Sequence, residues 1–246
     1  MSNSTQSTKL GGGGRGRGGR GGGKLRGRTN DSPEVKLSKT LSWLLRHGAQ
    51  SEGLPMREDG YVRVDDLLAT PKLRAQRLDL TQLQNIVAAD AKQRYSLVSE
   101  PGADGAAEAW WIRANQGHSM SDVKMDLKPI LAAKDVPMAV HGTNMQAWKL
   151  IEQNGLSRMT RNHIHLAQGV PGDGVISGMR TSAQVLIYID LQCALDAGLR
   201  FYLSDNGVVL TEGDDKGVVH SRFFSRVTDK HGDPLAGWTP AAEEST

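Results

Sequence analysis

A polar segment at residues 113–119 follows directly on an apolar run at residues 109–112. A short apolar run bounded by turn residues is typical of a buried strand. The segment reads Arg113-Ala114-Asn115-Gln116-Gly117-His118-Ser119, and its guanidinium, amide, imidazole and hydroxyl groups can together donate several hydrogen bonds to an anion. For this cluster alone, the alternative is a strand end with a paired arginine and a capping histidine.

Two further basic clusters favour the anion site. Arg46-His47 and Arg180 each lie at the edge of an apolar segment elsewhere in the chain. Three separated segments that offer arginine and histidine predict that these side chains converge on a phosphate group.

The first cluster is expected at the end of a helix. Ser32 can cap the N-terminus of this helix and Pro33 suits its first position. Leucines follow at helical spacing, namely Leu37, Leu41, Leu44 and Leu45. Gly48 is placed to end the helix. Arg46 and His47 then lie in the last turn, where the helix dipole favours cations whatever their function.

The remainder of the first half alternates short helices and strands. The predicted elements are a turn at Asp59-Gly60, a strand at 61–64, a helix from a Thr81/Gln84 capping box to about Lys92, and strands at 95–98 and 109–112. Helices followed by a strand pair predict a winged-helix type of module, a class that usually binds nucleic acid but hosts many functions.

The second half is predicted to be mostly sheet. Its expected elements are a strand at 138–140 leading into His141-Gly142-Thr143, a helix from a Thr143/Gln146 capping box to Gly155, a strand at 163–167, a central strand at 185–189, a short helix at 191–197, and a hairpin of 201–203 with 208–210. On the strand at 163–167, His163 and His165 share one face. They could ligate a metal together, but no third ligand lies nearby in sequence, so no metal site is expected.

Composition divides the chain further. Residues 1–28 hold seven basic residues and no acidic one, so this tail carries +7 and the remainder −4 of the net +3. The glycine- and arginine-rich tract at 11–28 cannot bury enough apolar surface to fold and is predicted to be disordered. The predicted divisions are a tail at 1–30, a winged-helix-like lobe at 31–119 that binds RNA or phosphate, a linker at 120–135, a mostly-β lobe at 136–228 and a loose tail at 229–246.

The single cysteine, Cys193, excludes an intramolecular disulfide and a cysteine-based zinc site, which fits a reducing compartment. Within its predicted helix, Cys193 is expected to be a core residue rather than a nucleophile. The sequence has no apolar run long enough to span a membrane and no secretory signal pattern. The glycine-rich stretch at 172–174 has the wrong spacing for a dinucleotide loop, and no Walker A motif occurs.

Short pieces of this chain occur in the same order in one known family. They are Leu37-Ser38-Lys39, Arg46-His47-Gly48, Asp59-Gly60-Tyr61-Val62, residues 113–119, His141-Gly142-Thr143, residues 163–167, Ser177-Gly178-Met179-Arg180 and Ser204-x-Asn206-Gly207-Val208. Through this collinear set the chain resembles the RNA 2′-phosphotransferase family. The resemblance implies an α+β fold, with an N-terminal winged-helix lobe joined to a mostly-β C-terminal lobe of the ADP-ribosyltransferase fold.

The resemblance also implies a reaction. The family transfers the internal 2′-phosphate that tRNA ligation leaves at the splice junction to NAD, giving RNA with a 2′-hydroxyl, nicotinamide and ADP-ribose 1″,2″-cyclic phosphate. Arg46, Arg113 and Arg180 are assigned by resemblance to the phosphate. His47 would contact the phosphate too, and could act as acid or base in the second step, where hydroxyl groups exchange protons.

The NAD side of the site is implied in the same way. His141, Gly142 and Thr143 match the opening motif of ADP-ribosyltransferases, which holds the ribose and the carboxamide, and His165 falls where relatives place an aromatic ring against nicotinamide. Many such enzymes carry a late-strand glutamate that activates the acceptor. The corresponding place here, near 206–208, has no acid, which agrees with a phosphate acceptor. The expected supports of the site are Asn115, His118 and Ser119.

The leading interpretation is therefore an NAD-dependent tRNA 2′-phosphotransferase, acting in the last step of tRNA splicing, with NAD as co-substrate and no metal. The alternatives are an ADP-ribosyltransferase that acts on nucleic-acid phosphates and stops after the first step, and a non-catalytic RNA-binding protein. The tail favours a nuclear or cytoplasmic enzyme that captures RNA by charge.

Overall fold

The first helix begins where its sequence signals place it. In the computed structural model of the chain, which describes residues 25–102, 107–170 and 178–240, helix α1 spans Pro33–Trp43. The Ser32 hydroxyl accepts a hydrogen bond from the Val35 amide at 3.3 Å, which confirms the predicted cap. The predicted end of the helix is wrong, because the chain continues through a π-helical turn, Leu44–Gly48, and a 3₁₀ turn, Gln50–Glu52.

Gly48 has a packing role instead of ending the helix. A Cβ atom at this position would lie 2.6 Å from the ring of Trp43. The left-handed residue that ends the helical segment is Gly53, with φ at +66°. Arg46 and His47 therefore lie in a π-helical turn, next to the close contact between Trp43 and Gly48.

The remainder of the first half forms helices packed on a small sheet. Its elements are β1 (Val62–Arg63), α2 (Val64–Ala69), α3 (Pro71–Arg74), α4 (Leu80–Ala88), β2 (Tyr95–Glu100) and β3 (Ala109–Ala114). The strands pair antiparallel in the order β1-β3-β2. The capping box of α4 lies two residues earlier than predicted, because Asp79 and Gln82 exchange side-chain and backbone hydrogen bonds of 2.7 and 3.0 Å.

The second half contains two main sheets. Its elements are β4 (Lys128–Ile130), β5 (Val140–Thr143), α5 (Met145–Asn154), β6 (Leu156–Ser157), β7 (Ile164–Leu166), β8 (Val185–Ile189), α6 (Leu191–Asp196), β9 (Phe201–Leu203), β10 (Val209–Thr211), β11 (Val218–Val219) and β12 (Phe224–Asp229). The strand orders are β4-β9-β10-β7, β12-β8-β5 and the pair β11-β6. The central position of β8 and the β9–β10 hairpin are as predicted.

Several local predictions fail in this half. Asn144, and not Thr143, caps α5, with its Oδ1 accepting from the Ala147 amide at 2.8 Å. Cys193 is exposed, because the short helix α6 turns it away from the core. The strand β7 begins only at Ile164, so His163 precedes it.

The described residues hold separate clusters of buried apolar side chains. One contains residues of 41–114, including Leu44, Leu45 and Ile112, and a larger one contains residues of 130–227, including Ile187 and Phe201. The division into two lobes stays a prediction, although residues 128–130 of the predicted linker form β4, which pairs with β9.

The structure describes residues 229–240 of the predicted C-terminal tail. The predicted loose tail folds back at its start, where Leu235 donates a backbone hydrogen bond to Val227 at 3.0 Å. The arginine- and glycine-rich residues up to 24 and the loop at 172–174 lie outside the described residues. Within the described ranges, no helix is long and apolar enough to cross a membrane.

Candidate active site

The segment after β3 lies across the π-helical turn. The Ser119 amide donates to the Arg46 carbonyl at 3.0 Å, and the Ser119 hydroxyl lies 2.9 Å from His47 Nδ1. Gly117 passes over Arg46 with φ at +89°, and a Cβ atom there would lie 3.4 Å from Arg46 Cδ. Two of the basic clusters predicted from sequence are therefore brought together.

Two nitrogens of the Arg46 guanidinium are buried. Its Nε and Nη2 have no hydrogen-bond partner in the described part of the chain. Burial lowers the pKa of Arg46, and the positive charges of Arg94 and Arg161 lower it further, against an opposing effect from Tyr95. A buried cation with unused donors is costly unless an anion completes the site.

Arg113 reaches the same region from the end of β3. Its Nη2 forms an ion pair of 2.7 Å with Asp205 Oδ2, and Nη1 donates to the Asp59 carbonyl at 3.3 Å. The guanidinium carbon lies 4.8 Å from the centre of the Tyr61 ring. Its buried Nε has no partner among the described residues, so Arg113 also keeps an unused donor.

His118 is the most deeply buried of the predicted supports. Its side chain is 3% exposed, and its Nε2 has no hydrogen-bond partner in the described ranges. Burial lowers the pKa of His118 to about 3, and the charge of Arg46 adds to this effect. The His118 carbonyl accepts from the Asn162 amide at 3.0 Å, which joins the two halves of the chain.

Asn115 supports the backbone rather than facing the cations. Its Nδ2 donates to the Gln93 carbonyl at 2.8 Å, and its Oδ1 accepts from the Ser96 hydroxyl at 2.6 Å. These bonds hold the start of the polar segment against β2.

The strands β5 and β7 place two histidines side by side. His141 Nδ1 lies 3.1 Å from the His165 carbonyl, and because a carbonyl only accepts, Nδ1 carries the proton. Burial is the main cause that lowers the pKa of both imidazoles, so both are neutral near pH 7. His165 Nε2 is buried and has no partner in the part of the chain described.

The backbone next to His141 is closely covered. A Cβ atom on Gly142 would lie 2.4 Å from Met179 Cγ and 2.9 Å from Ala183. Thr143 accepts a hydrogen bond through its carbonyl from the Gln184 amide at 2.7 Å. The motif is therefore fixed by the main chain, and the residues that cover it come from the segment that carries Arg180.

Arg161 was missed by sequence reasoning. Its positive charge lowers the pKa of His47, His141 and His165, and the charge of Arg180 acts on Arg161 in turn. The other arginines were identified because they lie at the edges of apolar segments. Arg161 lies in a turn and follows no apolar run, so this criterion did not identify it. Its position two residues before His163 was the available signal.

The third predicted cluster contributes Arg180, which is exposed and whose positive charge acts on Arg161, and its place at the phosphate stays a prediction. His163 takes a different place: its ring stands edge-on to Tyr202 with the centroids 6.3 Å apart. Its assignment as a structural residue stays a prediction.

The assembled groups suit an anion. The charges of Arg46, Arg113 and Arg161 act on the buried imidazoles of His118 and His165. The charge of Arg180 acts on Arg161, and Arg113 pairs with the carboxylate of Asp205. The described residues contain no cluster of three or more histidine, cysteine, aspartate or glutamate side chains that could hold a metal ion. Binding and stabilising a phosphate through charge-assisted hydrogen bonds is the chemistry that this arrangement supports.

Known proteins with similar sequences carry one activity in their names. The profile of the family described as "RNA 2′-phosphotransferase, Tpt1 / KptA family" matches residues 32–213. The tRNA 2′-phosphotransferase 1 of Danio rerio is 46% identical over 216 residues, which cover 87% of this chain and 91% of that protein. The tRNA 2′-phosphotransferase of Saccharomyces cerevisiae is 39% identical over 188 residues, covering 74% of this chain and 80% of the relative. The probable RNA 2′-phosphotransferase of Rhizobium leguminosarum is 34% identical over 182 residues, which cover 73% of this chain and 89% of that protein.

Proposed function

This chain belongs to the RNA 2′-phosphotransferase, Tpt1 / KptA family, and from that premise we propose that it is an NAD-dependent tRNA 2′-phosphotransferase. It transfers the splice-junction 2′-phosphate of ligated tRNA to NAD, in the last step of tRNA splicing. The products are RNA with a 2′-hydroxyl, nicotinamide and ADP-ribose 1″,2″-cyclic phosphate.

The observation that carries the proposal is the buried, unpaired guanidinium of Arg46 among other cations. A phosphate between Arg46, Arg113 and Arg180 would use donors that the described residues leave free. Guanidinium groups bind phosphate oxygens in pairs, which fixes its orientation as well as its charge. Arg161 adds a fourth positive charge to this region.

The residues next to this region fit NAD. The buried His165 Nε2 lacks a partner in the described ranges and is available to a ligand. His141, Gly142 and Thr143 would hold the ribose and the carboxamide, and His165 would face the nicotinamide ring. NAD supplies the ribose carbon that accepts the phosphate, with nicotinamide as the leaving group.

The two steps place different demands on the chain. A phosphate nucleophile is already anionic, so the first step needs positioning by the arginines and no general base. In the second step a ribose hydroxyl attacks phosphorus and the RNA 2′-oxygen leaves. Burial, together with the charges of Arg161 and Arg46, lowers the pKa of His47, so its neutral imidazole can take the proton of the attacking hydroxyl. Ser119 holds that ring through the 2.9 Å contact with Nδ1.

The architecture and location belong to the same proposal. We assign the helices and the β1–β3–β2 sheet to a winged-helix lobe that binds RNA, and the later sheets to an ADP-ribosyltransferase-like lobe that binds NAD. The two antiparallel main sheets and the position of His141 at the start of β5 support this assignment. The enzyme would act in the nucleus or the cytoplasm.

Incubating the purified chain with a short RNA that bears one internal 2′-phosphate, with and without NAD, tests the proposal. Loss of the phosphate only with NAD, accompanied by ADP-ribose cyclic phosphate, is the expected result. RNA that accumulates with an ADP-ribosylated phosphate would support a transferase limited to the first step. Binding of RNA without any product would leave a non-catalytic RNA-binding protein.

A further inference from the structure

The chain that enters the fold ahead of α1 is held at several points. The Arg26 amide donates to Thr40 Oγ1 at 2.8 Å. The Asp31 carboxylate accepts from the Arg28 amide at 2.6 Å and forms an ion pair of 2.6 Å with Lys39. The path of residues 26–31 along α1 is therefore set by hydrogen bonds to the helix.

Trp43 connects this segment to the candidate active site. The guanidinium carbon of Arg26 lies 3.7 Å from the centre of the Trp43 ring, a cation–π contact. The same indole packs on Gly48, the residue that follows His47. The charge of Arg26 is among those that lower the pKa of His47, after burial, Arg161 and Arg46, which agrees with this proximity.

The exposed groups of the segment suit an RNA backbone. Arg26 and Arg28 are both exposed. A guanidinium that stacks on an aromatic ring keeps its N–H donors at the edge, where they can bind phosphate oxygens. The sequence immediately before this segment continues with basic residues and no acidic one, namely Arg15, Arg17, Arg20 and Lys24.

We propose that Arg26, anchored on Trp43 beside His47, and the neighbouring Arg28 form a surface that binds the RNA strand flanking the 2′-phosphate. We call these two residues the flank surface. The inference rests on the proposed function for the identity of the neighbouring site, and it identifies the partner as the phosphate backbone of that same RNA.

The test measures RNA affinity without NAD. Fluorescence anisotropy compares a long and a short RNA, each with one internal 2′-phosphate, over a series of salt concentrations. The full-length variants are Arg26→Ala, Arg26→Lys and a chain with Arg15, Arg17 and Arg20 replaced by glutamine. Arg226→Ala is the matched control, because Arg226 is exposed and stacks on Tyr188 at 3.9 Å, but lies on β12, at the opposite edge of its sheet from β5.

We expect Arg26→Ala to weaken binding of the long RNA severalfold and to reduce the slope of log affinity against log salt by about 0.7 to 1. The difference in affinity between long and short RNA should be smaller in Arg26→Ala and in the glutamine variant than in the wild type. Arg26→Lys should keep part of this difference. Arg226→Ala should match the wild type. Thermal unfolding checks that each variant is folded.

Equal affinities and salt slopes for Arg26→Ala and the wild type would overturn the flank surface, even if the glutamine variant binds more weakly. Failure of the proposed function would be seen separately, as a wild-type chain that binds RNA but does not remove its 2′-phosphate when NAD is added.

Discussion

Arg46 is a residue that the proposed function requires and that should be unfavourable for stability. Two nitrogens of its guanidinium are buried and lack partners among the described residues. The charges of Arg94 and Arg161 act on it, opposed by Tyr95 and Asp90. Such a group costs folding free energy that only a bound anion returns. The expected result is a conflict between stability and activity at this one position.

Replacing Arg46 by methionine tests that conflict. We expect the melting temperature to stay the same or rise, because an apolar side chain replaces a buried charge. NAD-dependent removal of the 2′-phosphate should fall by about 100-fold or more, as for the loss of a main charge-stabilising donor. A large fall in melting temperature would show that Arg46 has a structural role instead; Arg200→Met, at an exposed position, is the control.

His47 should set the acidic limb of the activity profile. Burial and the charges of Arg161 and Arg46 favour the neutral imidazole, so the pKa lies below the usual 6.5. A base that must be neutral gains activity as the pH rises through this pKa, and keeps it above. Arg161→Gln removes a positive charge and should move the limb to higher pH.

The measurement is the pH dependence of turnover at saturating RNA and NAD. Arg200→Gln, which removes an exposed arginine elsewhere, should leave the limb in place. A limb that does not move in Arg161→Gln would mean that another group titrates.

At the scale of elements, glycines decide how segments approach the site. Gly178 precedes Arg180 by two residues and has φ at +98°, and a Cβ atom there would lie 2.9 Å from the backbone of Ala167. Backbone cannot move away as a flexible side chain can. Alanine at this position should therefore displace the segment that carries Arg180.

Gly178→Ala can be compared with Gly198→Ala, which has φ at +88° and nothing within 4 Å of the added atom. Both variants carry the strain of a left-handed alanine, about 1 kcal/mol. Only Gly178→Ala should also lose turnover, and its kcat should approach that of Arg180→Ala. Equal activities in the two glycine variants would contradict the link between this contact and the position of Arg180.

At the scale of the whole molecule, the ion pair between Arg113 and Asp205 joins β3 to the β9–β10 turn. The Asp205 carboxylate occupies one of the donors that the phosphate would use. Binding of RNA must then displace or share this contact, so the pair opposes binding while it holds the two halves together.

Asp205→Asn should lower the KM for RNA, by up to about fivefold, because a partly exposed ion pair contributes at most about 1 kcal/mol. The KM for NAD should not change. Asp215→Asn, which removes an exposed carboxylate from a neighbouring turn, is the control. A higher KM for RNA in Asp205→Asn would show that the pair mainly positions Arg113.

Sequence alone determined the features that depend on neighbouring residues. The cap at Ser32, the buried strand β8 and the β9–β10 hairpin follow from side chains and periodicity within a few positions, and these signals act locally. The ordered set of motifs also identified the family.

Only the tertiary structure decided which groups face one another. Asp205 reaches Arg113 across 92 positions of the sequence, and Arg26 stacks on Trp43. The charges of Arg161 and Arg26 act on His47. The π-helical turn and the strand β4 likewise depend on packing and on pairing with distant strands. Contacts between distant positions have no periodic trace in the sequence, because their geometry exists only after the chain has folded.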